Sequence, residues 1–163
     1  MKRIGYGQVE PNHLSAQRNG KIYAQLPADS ALTLIENGMF LKYDYAAGVA
    51  NIDGEVAIDG EWLLVYNEVK TYDARETYKD FALKAENAHD GVLVPRLFKT
   101  DVGDIFTTNC IGEASVALGD LLSPRAKDGI LSKSGDSENM QWQVVKIYTM
   151  PDHQPGVKLI RVK

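Results

Sequence analysis

The sequence predicts a mainly β protein, an antiparallel β-barrel or sandwich with one short helix and an extended N-terminal arm. Apolar segments recur along the chain, and clusters of Gly, Pro, Asn and Asp separate them, as in barrels and sandwiches. The chain closes with two such segments around the turn sequence PDHQPG, which predicts a hairpin. Only one segment carries apolar residues at helical spacing.

Length and composition favour a single folded domain. A chain of 163 residues with 44% hydrophobic residues can bury a core without cross-links. We expect residues 1–20 to form the arm and residues 21–163 to form one β-rich domain. The net charge of -4, with basic residues scattered, argues against nucleic acid or an anionic membrane as the partner, because both favour a basic surface.

The cysteine content and the first residues indicate a protein that works without export. Cys110, the one cysteine, cannot form an internal disulfide, and its apolar surroundings in FTTNCIG indicate a small buried hydrophobic residue rather than a reactive thiol. No apolar segment follows the basic start, as a signal peptide would require, and no apolar run is long enough for a transmembrane helix. We therefore expect a soluble protein in a reducing environment.

The N-terminal arm has two interpretations. Its polar, glycine-punctuated sequence is typical of a frayed terminus, but its apolar residues suggest a segment that becomes ordered against a neighbouring subunit. The second interpretation makes the following residues candidates for partner binding: Ile4, Tyr6, Val9, Pro11 and Leu14.

Strand patterns begin after the arm. KIYAQLP (21–27) alternates and stops at a proline, and MFLKYDY (39–45) alternates with a period of two. The sequence Ile-Asp-Gly-Glu occurs twice in NIDGEVAIDGE, where Asp-Gly favours tight turns around a short strand, EVAI (55–58). EWLLVYNEV (61–69) has the pattern of a buried strand.

One helix is predicted over Ala74–Asn87. Apolar residues fall at helical spacing, and Asp73 with Glu76 resembles a capping box. Asp80 and Lys84 have the i, i+4 spacing of an ion pair, and Gly91 closes the segment.

Strand patterns return after the helix. Pro95 lies within GVLVPRLFK (91–99), which predicts an edge strand or a bent strand. The remaining predicted strands are DIFTTNCI (104–111), EASVAL (113–118), GILSKSG (129–135), MQWQVVKIYTM (140–150) and VKLIRVK (157–163).

Two short sequences echo each other: V-G-D-I at 102–105 and L-G-D-L at 118–121. Their carboxylates could form a metal or catalytic pair, or they could stabilise turns. Glycine permits a sharp turn and aspartate accepts hydrogen bonds from nearby amides, so we interpret both as turns that enter strands, with the flanking aliphatic side chains in the core.

No motif in the sequence requires catalysis. His13, His89 and His153 stand far apart, without the clustering that zinc requires, and the Asp-Gly turns lack the ligand series of a calcium loop. We find no nucleophile motif and no phosphate-binding glycine pattern. The sequence therefore predicts no catalytic, cofactor-binding or metal residues and a non-enzymatic protein.

Several segments resemble small virion structural proteins of tailed bacteriophages. They are MKRIGYGQVEPNHLSAQRNGKIYAQLP, FLKYDYAAG, GEWLLVYNEVKTYDARETYKDFAL, VPRLFKTDVGDIFTTN and WQVVKIYTMPDHQPGVKLIRV. The resemblance implies a capsid decoration or cement protein, or a minor capsid component, which binds the major capsid protein or another virion protein and stabilises the head. It also implies a homo-oligomer located in the virion and assembled in the cytoplasm of the host bacterium.

Two alternatives remain open at this point. A carbohydrate- or receptor-binding module of a virion or cell surface would place exposed tyrosines around a concave face. A small β-barrel hydrolase would need converging carboxylates or a Ser/His pair.

Overall fold

The computed structural model describes residues 3, 5–14, 22–52, 61–67, 81–135 and 138–163, and for residues 22–25 only the backbone. Strands account for 40% and helices for 5% of these residues, and the antiparallel sheets form a sandwich-like arrangement without a closed barrel. The predicted mainly β class is thus confirmed, with the sandwich as its architecture. No helix in these ranges is long and apolar enough to span a membrane.

The strands are short, as in most sandwiches. In chain order they are β1 (Val9–His13), β2 (Ile22–Gln25), β3 (Leu34–Ile35), β4 (Phe40–Asp44), β5 (Val49–Asn51), β6 (Leu63–Val65), β7 (Leu83–Lys84), β8 (Arg96–Phe98), β9 (Ile105–Thr108), β10 (Leu121–Pro124), β11 (Leu131–Lys133), β12 (Trp142–Thr149) and β13 (Pro155–Arg161). Two single-turn 3₁₀ helices, Ala85–Asn87 and His89–Gly91, follow β7.

The strands form two main sheets and a small ribbon. The six-stranded sheet has the order β1-β9-β13-β12-β10-β11, and the five-stranded sheet has the order β2-β8-β6-β4-β5. The ribbon consists of β3 and β7. The β12–β13 hairpin lies at the centre of the six-stranded sheet, so that β9 and β10 flank it on opposite sides.

The centre of the five-stranded sheet, where β4 pairs with β6, is buried on both faces. Phe40 and Leu64 point towards the six-stranded sheet and join the core between the sheets, while their neighbours Leu41 and Leu63 point into a second core. Ile35 of the β3–β7 ribbon covers this second core. Side chains alternate along a strand, so two successive buried apolar residues on β4 and on β6 are consistent with enclosure of this part of the sheet on both sides.

Three aromatic rings join the two sheets. The ring centroid of Phe40, on the five-stranded sheet, lies 5.8 Å from that of Trp142 and 6.3 Å from that of Phe106, both on the six-stranded sheet. Phe106 and Trp142 meet edge to face at 4.7 Å. The backbone N–H of Phe40 also donates to the carbonyl oxygen of Gly129, in the β10–β11 connection, at 2.7 Å.

An arginine at the end of β13 provides a polar link between the sheets. The guanidinium of Arg161 is 2.6 Å from the carboxylate of Glu61, which precedes β6, and it also donates to the hydroxyl of Thr100 at 3.0 Å. Lys99 contacts the other oxygen of the Glu61 carboxylate at 3.3 Å. Arg161 is largely buried, and its charge is therefore neutralised by a partner, as burial requires.

The two Gly-Asp sequences form equivalent turns. Asp104 accepts a hydrogen bond from the Asp101 N–H at 2.9 Å, and Asp120 accepts one from the Ala117 N–H at 2.8 Å. Gly103 and Gly119 adopt positive φ angles of 94° and 87°. The interpretation of these sequences as turns entering strands is confirmed.

The expectation that the flanking aliphatic residues lie in the core is wrong for the first residue of each sequence, and the last residues, Ile105 and Leu121, are only half-buried. Val102 is 67% exposed and Leu118 is 68% exposed. Both occupy turn positions just before the glycine, where the chain reverses at the surface.

Three predictions about secondary structure need correction. The predicted helix is not formed over residues 81–87, which form β7 and a 3₁₀ turn, while residues 74–80 lie outside the described residues. Residues 113–118 form an irregular segment instead of a strand, and the unpredicted β10 follows it. The segment 91–99, predicted as an edge strand or a bent strand, forms a strand only at β8, which lies between β2 and β6 and is therefore not an edge. Pro95 precedes β8 and so need not donate to the ladder. The predicted strand over 55–58 also lies outside the described residues.

Gly129 is expected to be the least replaceable of the positive-φ glycines. Its φ is 67°, and an added Cβ would overlap the Phe40 carbonyl oxygen, whereas a Cβ at Gly119 would meet nothing within 4 Å. Gly119→Ala should therefore cost only the backbone strain, about 1–2 kcal/mol, and Gly129→Ala substantially more. Urea denaturation of both variants measures the difference, and equal losses of stability would contradict the proposed contact between Gly129 and β4.

Candidate functional site

The N-terminal segment is where the predicted partner-binding residues lie. Its strand β1 pairs with β9, and so becomes the edge of the six-stranded sheet. The described part of the predicted arm is therefore extended, but it is built into the sheet of its own chain.

The candidate partner-binding residues have different positions in the structure. Leu14 is 1% exposed and belongs to the core between the sheets, so it is a core residue and not a surface residue. Val9 packs partly against the same core, Pro11 is half-buried on β1, and Ile4 lies outside the described residues. The half-buried ring of Tyr6 contacts the Lys84 ammonium, which is 4.8 Å from the ring centroid.

A buried carboxylate fixes the start of this segment. The carboxylate of Glu36 forms an ion pair with the guanidinium of Arg3 at 2.6 Å, and it accepts a hydrogen bond from the Gly7 N–H at 3.3 Å. The buried thiol of Cys110 lies 3.9 Å from the same carboxylate. Burial raises the pKa of this thiol to about 12, and the positive charge of Arg3 partly opposes the shift. The predicted burial of Cys110 is confirmed.

The outer edge of β1 is poorly suited to the addition of a further strand. Pro11 lacks an N–H, and the register of β1 against β9 shifts between Glu10 and His13. Proline and bulges on an edge strand oppose pairing with another chain. A partner that reaches this edge is therefore expected to use side-chain contacts rather than a continuous ladder.

A cleft of about 200 Å³ opens beside β1. We call it the β1 cleft. It lies between the start of β1 and the turn that joins β12 to β13. The described residues that line it are Gln8, Val9, Glu10, Met150, Pro151 and Asp152.

A series of side-chain amides holds the two walls of the β1 cleft together. Asn109 accepts a hydrogen bond from the Gln8 N–H at 2.8 Å and donates to the side-chain oxygen of Gln154 at 3.1 Å. The side-chain amide of Gln154 in turn donates to the carboxylate of Asp152. These bonds connect β1 to the hairpin turn through residues that are themselves buried, so the cleft is preformed.

Tyr148 positions the carboxylate of Glu10 at one side of the cleft. Its hydroxyl group donates a hydrogen bond to Glu10 from the far strand β12. Burial, together with this hydrogen bond, raises the pKa of Tyr148 to about 12, so the hydroxyl remains protonated at neutral pH. The Glu10 side chain is therefore held as an acceptor at the cleft.

Gln8 is the residue of the cleft whose bonding is incomplete. It is only 5% exposed, yet neither its side-chain nitrogen nor its side-chain oxygen has a hydrogen-bond partner among the described residues. Buried polar atoms are nearly always paired, because an unpaired one costs free energy. The side-chain amide of Gln8 is thus enclosed by protein rather than exposed in the cleft, and its unpaired atoms lower the stability of the folded state.

No family model matches the chain, nor does any curated protein or solved structure match it significantly. The function of the site therefore follows from the chemistry of its residues.

The two Gly-Asp carboxylates do not form a pair of acids, because each one caps its own turn. Among the described residues there is no group of three or more His, Cys, Asp or Glu side chains placed to hold a metal ion.

Two of the described tyrosines, Tyr43 and Tyr45, lie together at the end of β4. Tyr43 and Tyr45 meet edge to face with ring centroids 4.5 Å apart, and Tyr45 is 69% exposed at the turn after β4. Tyr43 belongs to β4 itself, and Tyr45 is the first residue of the β4–β5 turn.

Sequence reasoning identified the segment of the site but missed most of its residues. Of the described residues that line the β1 cleft, only Val9 was among the predicted partner-binding residues. Gln8 and Glu10 are polar residues two positions apart, a spacing that places side chains on one face of an extended chain. That signal was present, but nothing in the sequence indicates that the hairpin turn at 150–154 packs beside them.

Substitution by leucine should change the stability of the protein in opposite directions at the two buried glutamines near the cleft, Gln8 and Gln154. Gln8→Leu removes an amide without a partner and should raise the free energy of unfolding by about 1 kcal/mol. Gln154→Leu leaves the amide of Asn109 and the carboxylate of Asp152 without their partner, and should lower the free energy of unfolding by about 1–3 kcal/mol. Urea denaturation tests both, and destabilisation by Gln8→Leu would contradict the unpaired state of Gln8.

Cys110 should make stability depend on pH in the alkaline range. The folded protein retains the thiol proton up to about pH 12, whereas the unfolded chain releases it near the ordinary pKa of 9.0. The unfolded state therefore binds fewer protons between these values, and stability falls with rising pH, by up to about 1.4 kcal/mol per pH unit.

Cys110→Ala provides the comparison, because it lacks the titrating group while Tyr148 is retained in both proteins. The difference in unfolding free energy between wild type and variant should be constant from pH 7 to 8 and should shrink above about pH 9. Urea denaturation at a series of pH values measures it. A difference that stays constant to pH 11 would show that the thiol titrates normally in the folded state.

Proposed function

We propose that the protein is a non-enzymatic structural protein of a bacteriophage virion, a capsid decoration or cement protein that binds and stabilises the head shell. Its partner is the major capsid protein or another virion protein, and it acts as a homo-oligomer. The proposal starts from the resemblance of several segments of the chain to small virion proteins. The observation that carries it is the N-terminal segment, which is anchored to the domain and borders a preformed cleft.

The anchoring of this segment supports a binding role. Arg3 and Gly7 are bonded to Glu36, β1 is paired with β9, and Leu14 is buried in the core. A segment held in place by its own chain loses little conformational entropy when a partner binds it. Binding energy is therefore not spent on ordering the segment, which suits a protein that must occupy many equivalent sites on a lattice.

Exposed apolar side chains offer further contacts. Leu118 stands at the turn before β10, and this turn is bonded to Val144, next to the exposed Val145 on β12. Ile147 is exposed farther along the same strand. A repeating shell can combine modest contacts of this kind into stable attachment, because each added contact acts within an assembly that is already held together.

The charge of the chain is consistent with a location on the shell. A net charge of -4 disfavours non-specific association with the packaged genome, which attracts basic proteins.

The proposal is tested by co-sedimentation with heads that lack the protein. Purified protein at micromolar concentration should pellet with such heads and should saturate at a fixed number of copies per head. Leu118→Ser should weaken binding by about tenfold if this turn is part of the contact. Val94→Ser is the matched control, since Val94 is also exposed but lies beside the five-stranded sheet. Absence of any co-sedimentation would contradict the proposal.

A further inference from the structure

We propose that two copies of the chain associate face to face through the outer face of the six-stranded sheet, which is the face turned away from the five-stranded sheet. The two-fold axis of this dimer runs parallel to the strands, between β9 and β13. The choice of a second copy as the partner rests partly on the homo-oligomer of the proposed function, whereas the choice of this face rests on the register and polarity of its strands.

A row of mainly apolar side chains crosses the middle of the outer face. The strands β9, β13, β12 and β10 contribute one residue each, and consecutive members are directly paired: Ile105, Ile160, Gln143 and Leu121. A strand neighbour of each of them belongs to the core between the sheets, so the alternation of side chains directs the row away from that core. The outer positions of a sheet that faces water are usually polar, and three of these four are isoleucine or leucine.

These apolar side chains lie outside the two cores. Ile105, Ile160 and Leu121 are half-buried and belong to neither core. Val145, two positions from Gln143 at the bulge of β12, is 42% exposed, and Val162, two positions from Ile160, is 41% exposed. Contiguous apolar surface of this kind marks a site of interaction with another macromolecule.

A charged row lies beside the apolar row on the same face. Its members, again directly paired from strand to strand, are Glu10, Thr107, Lys158 and Lys146. Glu10 of β1 ends this row on one side, where the hydroxyl group of Tyr148 holds its carboxylate by a hydrogen bond. Lys146 of β12 ends the row on the other side. It stands directly opposite Lys158, a position in which two cations repel each other, so Lys146 is stabilised by an acidic group from outside the chain.

The order of the strands makes the outer face complementary to itself. β9 and β13 are neighbours, with β1 beyond the first and β12 beyond the second. A two-fold axis between β9 and β13 therefore places Ile105 against Ile160 of the partner subunit, and Glu10 against Lys146 of the partner subunit. Each contact occurs twice, because a two-fold interface uses the same surface of both copies. Packed sheets keep their strands within about 30° of each other, so contacts close to the axis are preserved.

Charge favours a second copy over other occupants of this face. The acidic and the basic end of the charged row lie at equal distances from the axis, each one strand beyond the central pair, so a single symmetry operation pairs both. A nucleic acid or an anionic membrane would meet Lys146 and Lys158 but also Glu10, on a chain whose net charge is -4.

Sedimentation velocity of the purified protein tests this interface. The protein should sediment as a dimer at about 100 µM and dissociate on dilution. Ile160→Thr removes an apolar contact at the axis and should weaken the dimer by about tenfold. Ile147→Thr is the matched control on the adjacent strand, because Ile147 is 44% exposed but pairs with Val157 of the core and so points to the other face. It should leave the dissociation constant unchanged.

Exchange of charges tests the two-fold arrangement itself. Glu10→Lys and Lys146→Glu should each weaken the dimer, because each brings like charges together at both contacts. An equimolar mixture of the two variants should dimerise again, since the heterodimer restores opposite charges at both contacts. Thermal unfolding checks the folding of each variant. Lys146→Glu places opposite charges on β12 and β13 within the chain, so its weaker association would not come from a loss of stability.

The results separate this inference from the proposed function. A protein that stays monomeric at the highest concentration, equal effects of Ile160→Thr and Ile147→Thr, or a mixture that associates no better than its components would each overturn the interface. A monomer whose co-sedimentation with heads is weakened by Ile160→Thr would assign the outer face to the shell and refute the dimer while retaining the capsid role. A dimer with the expected variant effects that fails to co-sediment with heads would retain the interface and refute the capsid role.

Discussion

The packing of Phe40 between the two sheets is the contact on which the rest of the structure depends. Its ring lies against Phe106 and Trp142 of the six-stranded sheet, and its backbone N–H is bonded to Gly129. One residue of β4 thus joins both the core and a loop of the opposite sheet. Because Leu41, the next residue, points to the other face, the position of Phe40 also determines where the second core can form.

The position of the N-terminal segment depends on tertiary contacts. β1 pairs with β9, which carries Phe106, and Leu14 enters the core between the sheets. The β1 cleft is therefore a product of tertiary structure, because one wall comes from the start of the chain and the other from the hairpin turn near its end. The two walls are connected by buried side chains that also hold the fold, above all Asn109.

The general class of the fold and most strands could be predicted from the sequence, because period-two patterns and turn residues are local signals. The final hairpin and β4 are examples. The helix over Ala74–Asn87 shows the limit, since its apolar spacing was consistent with a helix, but Leu83 and Lys84, near its end, pair with β3 instead. The β1 cleft could not be predicted, because it depends on a contact between residues more than a hundred positions apart, which local patterns do not encode.

The two Gly-Asp turns also determine how the six-stranded sheet would respond to a mechanical load. Gly103 and Asp104 exchange two backbone hydrogen bonds with Arg161 on β13, and Gly119 and Asp120 exchange two with Val144 on β12. The two turns lie on opposite sides of the central hairpin. Each turn therefore resists sliding of the strand that follows it, β9 or β10, along the hairpin. A force along the hairpin would have to break both sets of bonds together with the ladders beside them, so the load would be shared across four strands rather than released one bond at a time.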